Sequence, residues 1–119
     1  MARILIIDDS SFQRGIIRKT LQQVNYETIE AKNGREGLER VLDDAPDLIL
    51  LDLVMPEMDG FTVLSELQKL KNTVPVLVLT ADIQEITRDQ CLELGAAGFL
   101  NKPVKMEDLT SAVLGGLGA

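Results

Sequence analysis

Five polar side chains lie at or just after the ends of short aliphatic runs in this chain. They are Asp8, Asp9, Asp52, Thr80 and Lys102, and the runs span residues 4–7, 48–51, 76–79 and 99–100. If the runs are parallel strands, their carboxyl ends meet at one edge of a sheet, where such sheets bind ligands. Three carboxylates, a hydroxyl and an ammonium in one crevice suit the binding of a divalent cation and a phosphoryl group.

The three carboxylates favour a hard cation. Asp8 and Asp9 packed beside Asp52 repel each other unless a cation lies among them. Oxygen ligands in a chain without histidine are typical of Mg²⁺ or Mn²⁺ rather than zinc. The alternative is that Asp9 only caps the first helix and that Asp8 is solvated.

Three of the five side chains also suit phosphoryl chemistry, and each has a simpler interpretation. Asp52 can attack phosphorus to give an aspartyl phosphate, or it can be a loop residue whose carboxylate accepts backbone N–H groups. The Thr80 hydroxyl can bond a phosphoryl oxygen or cap the fourth helix. Lys102 can place its charge on phosphate or lie in solvent. The bond from Lys102 to Pro103 is a candidate for cis geometry, because X–Pro bonds allow it.

Composition narrows the class of protein. A chain of 119 residues with 45% hydrophobic and 3% aromatic content predicts one domain with an aliphatic core. A net charge of −7 disfavours non-specific binding to nucleic acid or to an anionic membrane. The chain has no apolar run long enough to span a membrane, and we expect no signal peptide. The lone Cys91 fits a reducing compartment, so we expect a cytoplasmic protein.

Strands and helices alternate along the chain, and five strand–helix units in a row imply a parallel sheet with helices on both faces. Asp9, Ser10 or Ser11 is expected to cap the first helix, and Asn33 with Glu36 resembles a capping box for the second. The fourth helix is predicted over residues 83–94. The apolar residues expected to face the core from the helices are Phe12, Ile16, Ile17, Leu21 and Val24, then Gly37, Leu38, Val41 and Leu42, then Phe61, Leu64, Leu67 and Leu70, and finally Met106, Leu109, Ala112, Val113 and Leu117.

Four segments resemble the receiver domain of two-component response regulators. They read Ile-Leu-Ile-Ile-Asp8-Asp9-Ser, Asp52-Leu-Val-Met-Pro-Glu-Met-Asp-Gly60, Leu-Thr80-Ala81 and Gly-Phe99-Leu-Asn-Lys102-Pro103. The resemblance covers essentially the whole chain. It implies a doubly wound, flavodoxin-like (βα)5 fold whose five-stranded parallel sheet has the order 2-1-3-4-5. It also implies the stand-alone CheY-like type, with one receiver domain over residues 1–119 and no output domain.

The same resemblance implies a role for each site residue. Asp52 resembles the phosphoacceptor. The carboxylates of Asp9 and Asp52, with the backbone carbonyl of Val54, resemble the ligands of Mg²⁺, for which Mn²⁺ can substitute, and Asp8 helps to hold the metal directly or through water. Thr80 resembles the switch hydroxyl, and Lys102 the lysine that contacts the phosphoryl group.

Four positions have further implied roles. Phe99 resembles the aromatic side chain that moves between outward and inward positions, although a plain core residue is an equal alternative. Val54 and Asp82 occupy the positions that tune the lifetime of the phosphoryl group. Pro103 occupies the position that the family usually reaches through a cis bond.

The implied partners are a sensor histidine kinase or phosphotransfer protein as donor, with a small acyl phosphate as substitute. An output protein would bind the face made by the fourth helix, the last strand and the fifth helix. The protein would catalyse only its own phosphorylation and dephosphorylation.

Competing functions are a scaffold that needs no phosphorylation, a small phosphohydrolase and a flavodoxin-like cofactor carrier. Retention of all five polar groups argues against the scaffold, and Leu53 and Val54 after Asp52 argue against the hydrolase.

Overall fold

The computed structural model describes residues 1–81 and 85–118. Within these residues, five strands alternate with five helices. In chain order they are β1 (Arg3–Ile7), α1 (Ser11–Gln23), β2 (Glu27–Ala31), α2 (Gly34–Asp44), β3 (Leu48–Asp52), α3 (Gly60–Lys69), β4 (Val76–Thr80), α4 (Glu85–Glu93), β5 (Gly98–Asn101) and α5 (Met106–Gly116). Of the helices in these two ranges, none has the length and apolar character that crossing a membrane requires.

The strands form one parallel sheet in the order β2-β1-β3-β4-β5, which confirms the predicted topology. In its register Ile7 lies beside Leu51, and Asp52 lies beside Leu79. Thr80, one residue further along β4, lies beside Asn101. The polar residues at the strand ends therefore share one edge of the sheet.

Two apolar layers cover the sheet, because successive strand residues point to opposite faces. Leu5 and Ile7 of β1 belong to the layer that contains side chains of α2, α3 and α4. Ile4 and Ile6 belong to the layer that contains side chains of α1 and α5. Helices thus lie on both faces, as predicted, and β3 and β4 are buried along their whole length.

Several apolar residues predicted to face the core are exposed instead. Phe12 is 74% exposed and Leu42 is 67% exposed, because each helix contacts the sheet through a strip narrower than its full apolar face. The other exposed members of the predicted faces are Ile16, Val24, Leu70 and Met106. Val24 and Leu70 are the C-cap residues of α1 and α3, beyond the last full turn of each helix. Conversely Val63, which the predicted faces omitted, is completely buried.

Among the residues that the structure describes, side-chain caps start three of the helices. Ser10, one of the three candidates, accepts a hydrogen bond from the Gln13 amide and caps α1. Asn33 accepts one from the Glu36 amide at the start of α2, and Asp59 accepts one from the Thr62 amide at the start of α3. Because Ser10 performs the capping, the interpretation of Asp9 as a helix cap is wrong.

Glu30 on β2 joins two arginines of α1, and its removal should produce a small, pH-dependent loss of stability. Its carboxylate accepts hydrogen bonds from Arg14 Nε at 3.1 Å and Arg18 Nη1 at 2.9 Å. Burial alone would raise the pKa of Glu30, but the two guanidinium groups outweigh burial and hold it below its ordinary value of 4.5. A depressed native pKa stabilises the fold above the unfolded pKa, and this stabilisation disappears as the pH falls through the native pKa.

We therefore expect Glu30→Gln to lower the free energy of unfolding by about 1 kcal/mol at neutral pH, the upper range for partly exposed pairs. The difference between the two proteins should close at an acidic pH below the native pKa of Glu30, where its carboxyl group is protonated in both states. Urea unfolding at the two pH values measures both differences. If the difference in the free energy of unfolding were the same at both pH values, the two ion pairs would contribute nothing to stability.

Candidate functional site at the carboxyl edge of the sheet

Three carboxylates meet where β1 and β3 end. Asp8 directly follows β1, and Asp52 is the last residue of the neighbouring strand β3. One oxygen from each of Asp8, Asp9 and Asp52 lies within 4.8 Å of the other two. Asp8 and Asp52 are buried, with 2% and 7% of their surfaces exposed, whereas Asp9 is exposed. Asp8 is therefore not the solvated residue of the simpler interpretation.

Lys102 reaches this cluster from the end of β5. Its Nζ lies 3.3 Å from Oδ2 of Asp8 and 3.2 Å from Oδ1 of Asp52. The side chain is only 20% exposed, so it does not extend into solvent. Its backbone N–H donates to the Thr80 carbonyl at 2.7 Å, which ties the end of β5 to β4. The peptide bond between Lys102 and Pro103 is cis.

The electrostatics of the cluster favour an additional cation. Burial raises the pKa of Asp52, the charge of Asp8 raises it further, and Lys102 and the Val54 N–H offset only part of this. Burial alone would lower the pKa of Lys102, but the charges of Asp52 and Asp8 outweigh it and the pKa rises. Three carboxylates beside one ammonium leave a net negative charge. A small hard cation would therefore stabilise the site more than the ammonium does alone.

Thr80 and Phe99 lie on the two strands beside the cluster. Thr80 ends β4 with 1% of its surface exposed, one residue beyond the partner of Asp52 in the register. Phe99 on β5 is half-buried and packs against the apolar layer that contains α2, α3 and α4. Phe99 therefore contacts the core, and its switch role stays a prediction.

The loop after Asp52 brings backbone groups to the carboxylate. The Val54 N–H lowers the pKa of Asp52, while the Val54 side chain is 72% exposed. Met55 is buried and Met58 packs against the core, and the Gly60 N–H donates to the Leu53 carbonyl at 2.8 Å. Coordination by the Val54 carbonyl stays a prediction. Asp82 lies outside the described residues.

The sequence did not predict that Arg14 contacts the site. Arg14 Nη1 donates to the backbone carbonyl of Asp8 at 2.6 Å, and its Nε contacts Glu30. The available signal was its position near the start of α1, since the helix dipole disfavours a cation there. An arginine at such a place indicates a tertiary partner.

Residues 4–114 match the family model described as the response regulator receiver domain. The chain belongs to this family. The receiver domain is a signalling domain of two-component systems rather than a classical enzyme, which confirms the predicted family and function at that level.

This receiver domain is similar to proteins of different lengths. It is 33% identical to the chemotaxis protein CheY of Bacillus subtilis over 112 residues, which are 93% of each chain. It is 40% identical over 114 residues to the sensor histidine kinase CheAY of Helicobacter pylori, covering 92% of this chain but only 14% of that relative. The structure of Vibrio cholerae CheY4 superposes with a TM-score of 0.90 at 32% identity, covering 96% of this chain and 97% of that one.

The donor atoms of the acidic cluster fit the metal that receiver domains bind. The cluster offers carboxylate oxygens only, the ligand type that Mg²⁺ prefers. Two of the three carboxylates are buried, so a bound cation would be partly shielded from solvent, and its charge would act strongly on a neighbouring phosphoryl group.

Proposed function

We propose that Asp52 of this receiver domain is the phosphoacceptor and that Asp8, Asp9, Asp52 and the Val54 carbonyl hold the Mg²⁺ that the transfer requires. The observation that carries the proposal is the Lys102 ammonium, which lies 3.3 Å and 3.2 Å from the carboxylates of Asp8 and Asp52. A cation at this position neutralises a carboxylate before the reaction and a phosphoryl oxygen after it. A phosphorylation-independent scaffold has no need of this arrangement.

The transfer needs little covalent chemistry from the protein. A carboxylate oxygen of Asp52 forms a bond to phosphorus while the bond to the donor breaks, and the donor keeps the electron pair of that bond. With phosphohistidine the leaving group is the imidazole, and with an acyl phosphate it is a carboxylate. Bound Mg²⁺ supplies positive charge to the phosphoryl oxygens, while Lys102 supplies a second cation and the Thr80 hydroxyl a hydrogen bond.

Phosphorylation would then act on a partner surface. The added charge draws Lys102 and Thr80 onto the phosphoryl group and shifts the balance between two arrangements of α4, β5 and α5. Exposed apolar side chains on this face support its use for binding, since Leu92 on α4 and Leu114 on α5 are 43% and 49% exposed. The CheAY relative is named a sensor histidine kinase, which supports a phosphohistidine as the donor.

The test is incubation of the protein with acetyl phosphate and Mg²⁺, followed by intact-mass measurement. We expect a gain of one phosphoryl group that excess EDTA prevents. A phosphate monoester offered under the same conditions should not be turned over. Absence of the mass gain, with the protein folded, would favour the scaffold, and turnover of the monoester would favour the hydrolase.

Replacing Asp9 with Ala should weaken Mg²⁺ binding by about tenfold or more, because a charged ligand is lost. Since Asp9 is exposed, the fold should tolerate the change. Isothermal titration with MgCl₂ measures the affinity. Lys102→Ala is the matched control: it removes a competing cation from Asp8 and Asp52, so its affinity should be equal or higher. Equal affinities in the wild type and Asp9→Ala would exclude Asp9 as a ligand.

A further inference from the structure

We propose that Arg14 is a positioning residue for the cation site and acts through the backbone carbonyl of Asp8. The inference rests on the proposed function, because it concerns how the same carboxylates are held. The hydrogen bonds of Arg14 go to the Asp8 backbone carbonyl and to the Glu30 carboxylate, not to the carboxylate oxygens of the acidic cluster. Its effect would come from the orientation that it imposes on the chain between β1 and α1.

All four polar groups of Asp8 have partners. Its N–H donates to the Ala31 carbonyl at 3.1 Å, which continues the pairing of β1 with β2. Its Oδ1 accepts from the Ser10 amide at 2.9 Å, and its Oδ2 lies 3.3 Å from Lys102 Nζ. The backbone carbonyl lies beyond the last residue of β1 and accepts from Arg14 Nη1 at 2.6 Å. Without Arg14, this buried residue's carbonyl would lose its side-chain donor and have to find another.

Arg14 is itself held in place. Its Nε donates to Glu30 on β2 at 3.1 Å, and the side chain is 15% exposed. A planar guanidinium that bonds a carboxylate on one side and a carbonyl on the other sets the direction of both bonds. Arg14 therefore joins the first turns of α1, the end of β1 and the strand β2. The Asp8–Asp9 peptide group contains the bonded carbonyl, so its plane sets how the two carboxylates point toward Asp52.

The sign of the effect separates positioning from simple charge. Removing a positive charge near a cation site lowers electrostatic repulsion, so by charge alone an Arg14 variant would bind Mg²⁺ more tightly. Loss of the Asp8 carbonyl bond would instead disturb the ligand geometry and weaken binding, since Mg²⁺ demands near-ideal octahedral coordination. A merely structural role would lower stability without lowering the affinity of the folded protein.

Arg18 provides the matched control. It lies one turn further along α1 and donates to the same Glu30 carboxylate at 2.9 Å, with no contact to Asp8 described. Arg14→Met and Arg18→Met each remove one cation and one bond to Glu30 while keeping an apolar stem. Only the first removes the bond to the Asp8 carbonyl. We expect the Mg²⁺ dissociation constant to rise about tenfold in Arg14→Met, a size typical of outer-sphere partners, and to stay the same or fall in Arg18→Met.

Calorimetric titration of the full chain with MgCl₂, at a temperature where thermal melts show all three proteins folded, measures these constants. A second readout needs no metal: the amide ¹⁵N shift of Asp9, in the same peptide group as the bonded carbonyl, should move in Arg14→Met and not in Arg18→Met. Equal or tighter Mg²⁺ binding by Arg14→Met would overturn the inference while leaving the proposed function intact. Failure of the wild type to bind Mg²⁺ would overturn both.

Discussion

Replacing Asp52 with Asn should abolish phosphoryl uptake from acetyl phosphate and should stabilise the metal-free protein. The amide lacks the anionic oxygen that attacks phosphorus, so no mass gain is expected. The ionised carboxylate is buried beside Asp8, which raises its pKa, so its ionisation costs native-state stability. An uncharged amide avoids that cost, and we expect a gain of about 1 kcal/mol in EDTA, the usual size of a single-site effect.

The pH dependence of this gain follows from the direction of the pKa shift. Because the native pKa of Asp52 lies above its ordinary value of 3.8, the native state binds the proton more tightly than the unfolded state. Stability from this proton is present below the unfolded pKa and is lost as the pH rises through the native pKa. The difference in the free energy of unfolding between Asp52→Asn and the wild type should therefore be absent below about pH 3.8 and should increase as the pH rises.

Urea unfolding in EDTA at several pH values measures the gap, and intact-mass measurement after acetyl phosphate treatment measures the uptake. Asp43→Asn serves as the control, since this carboxylate at the end of α2 has a side chain that is 65% exposed and should leave uptake unchanged. Uptake that survives in Asp52→Asn would exclude Asp52 as the acceptor. A variant less stable than the wild type at neutral pH would show that Lys102 needs both carboxylates.

Replacing Gly60 with Ala should destabilise the protein by about 3 kcal/mol, near the upper range for overpacking. An added Cβ would lie 2.7 Å from the Leu53 Cα and 2.9 Å from the Asp52 carbonyl oxygen. Both are backbone atoms, so no side chain can rotate to make room. The φ angle of Gly60 is not positive, so space alone excludes the side chain.

The clash would also reach the site, because the Gly60 N–H donates to the Leu53 carbonyl beside Asp52. We expect slower phosphoryl uptake at a temperature where the variant is folded. Gly115→Ala is the control: nothing lies within 4 Å of its added Cβ, and the change within α5 should stabilise by about 0.5–1 kcal/mol. Urea unfolding compares the two. A Gly60→Ala protein as stable as the wild type would contradict the close approach of α3 to the Asp52 loop.

The central strands of the sheet were predictable from the sequence because β1, β3 and β4 are buried almost along their whole length. Continuous aliphatic runs such as residues 48–51 and 76–79 have few alternatives in a soluble protein of this size. The helix faces were less predictable. Phe12 and Ile16 follow the helical repeat of an inward face and yet are exposed. The repeat defines a direction on the helix, but the width of the buried strip depends on how the helix lies against the sheet.

The functional site was likewise predictable only in part. The sequence by itself determined which groups are available, because Asp8, Asp9, Asp52, Thr80 and Lys102 each adjoin an aliphatic run and parallel strands bring such ends to one edge. The tertiary structure decided which groups touch. Lys102 joins carboxylates that precede it by 94 and 50 residues, and Arg14 bonds the backbone carbonyl of Asp8 as well as the Glu30 carboxylate. These contacts depend on side-chain reach across packed elements, which local spacing does not encode.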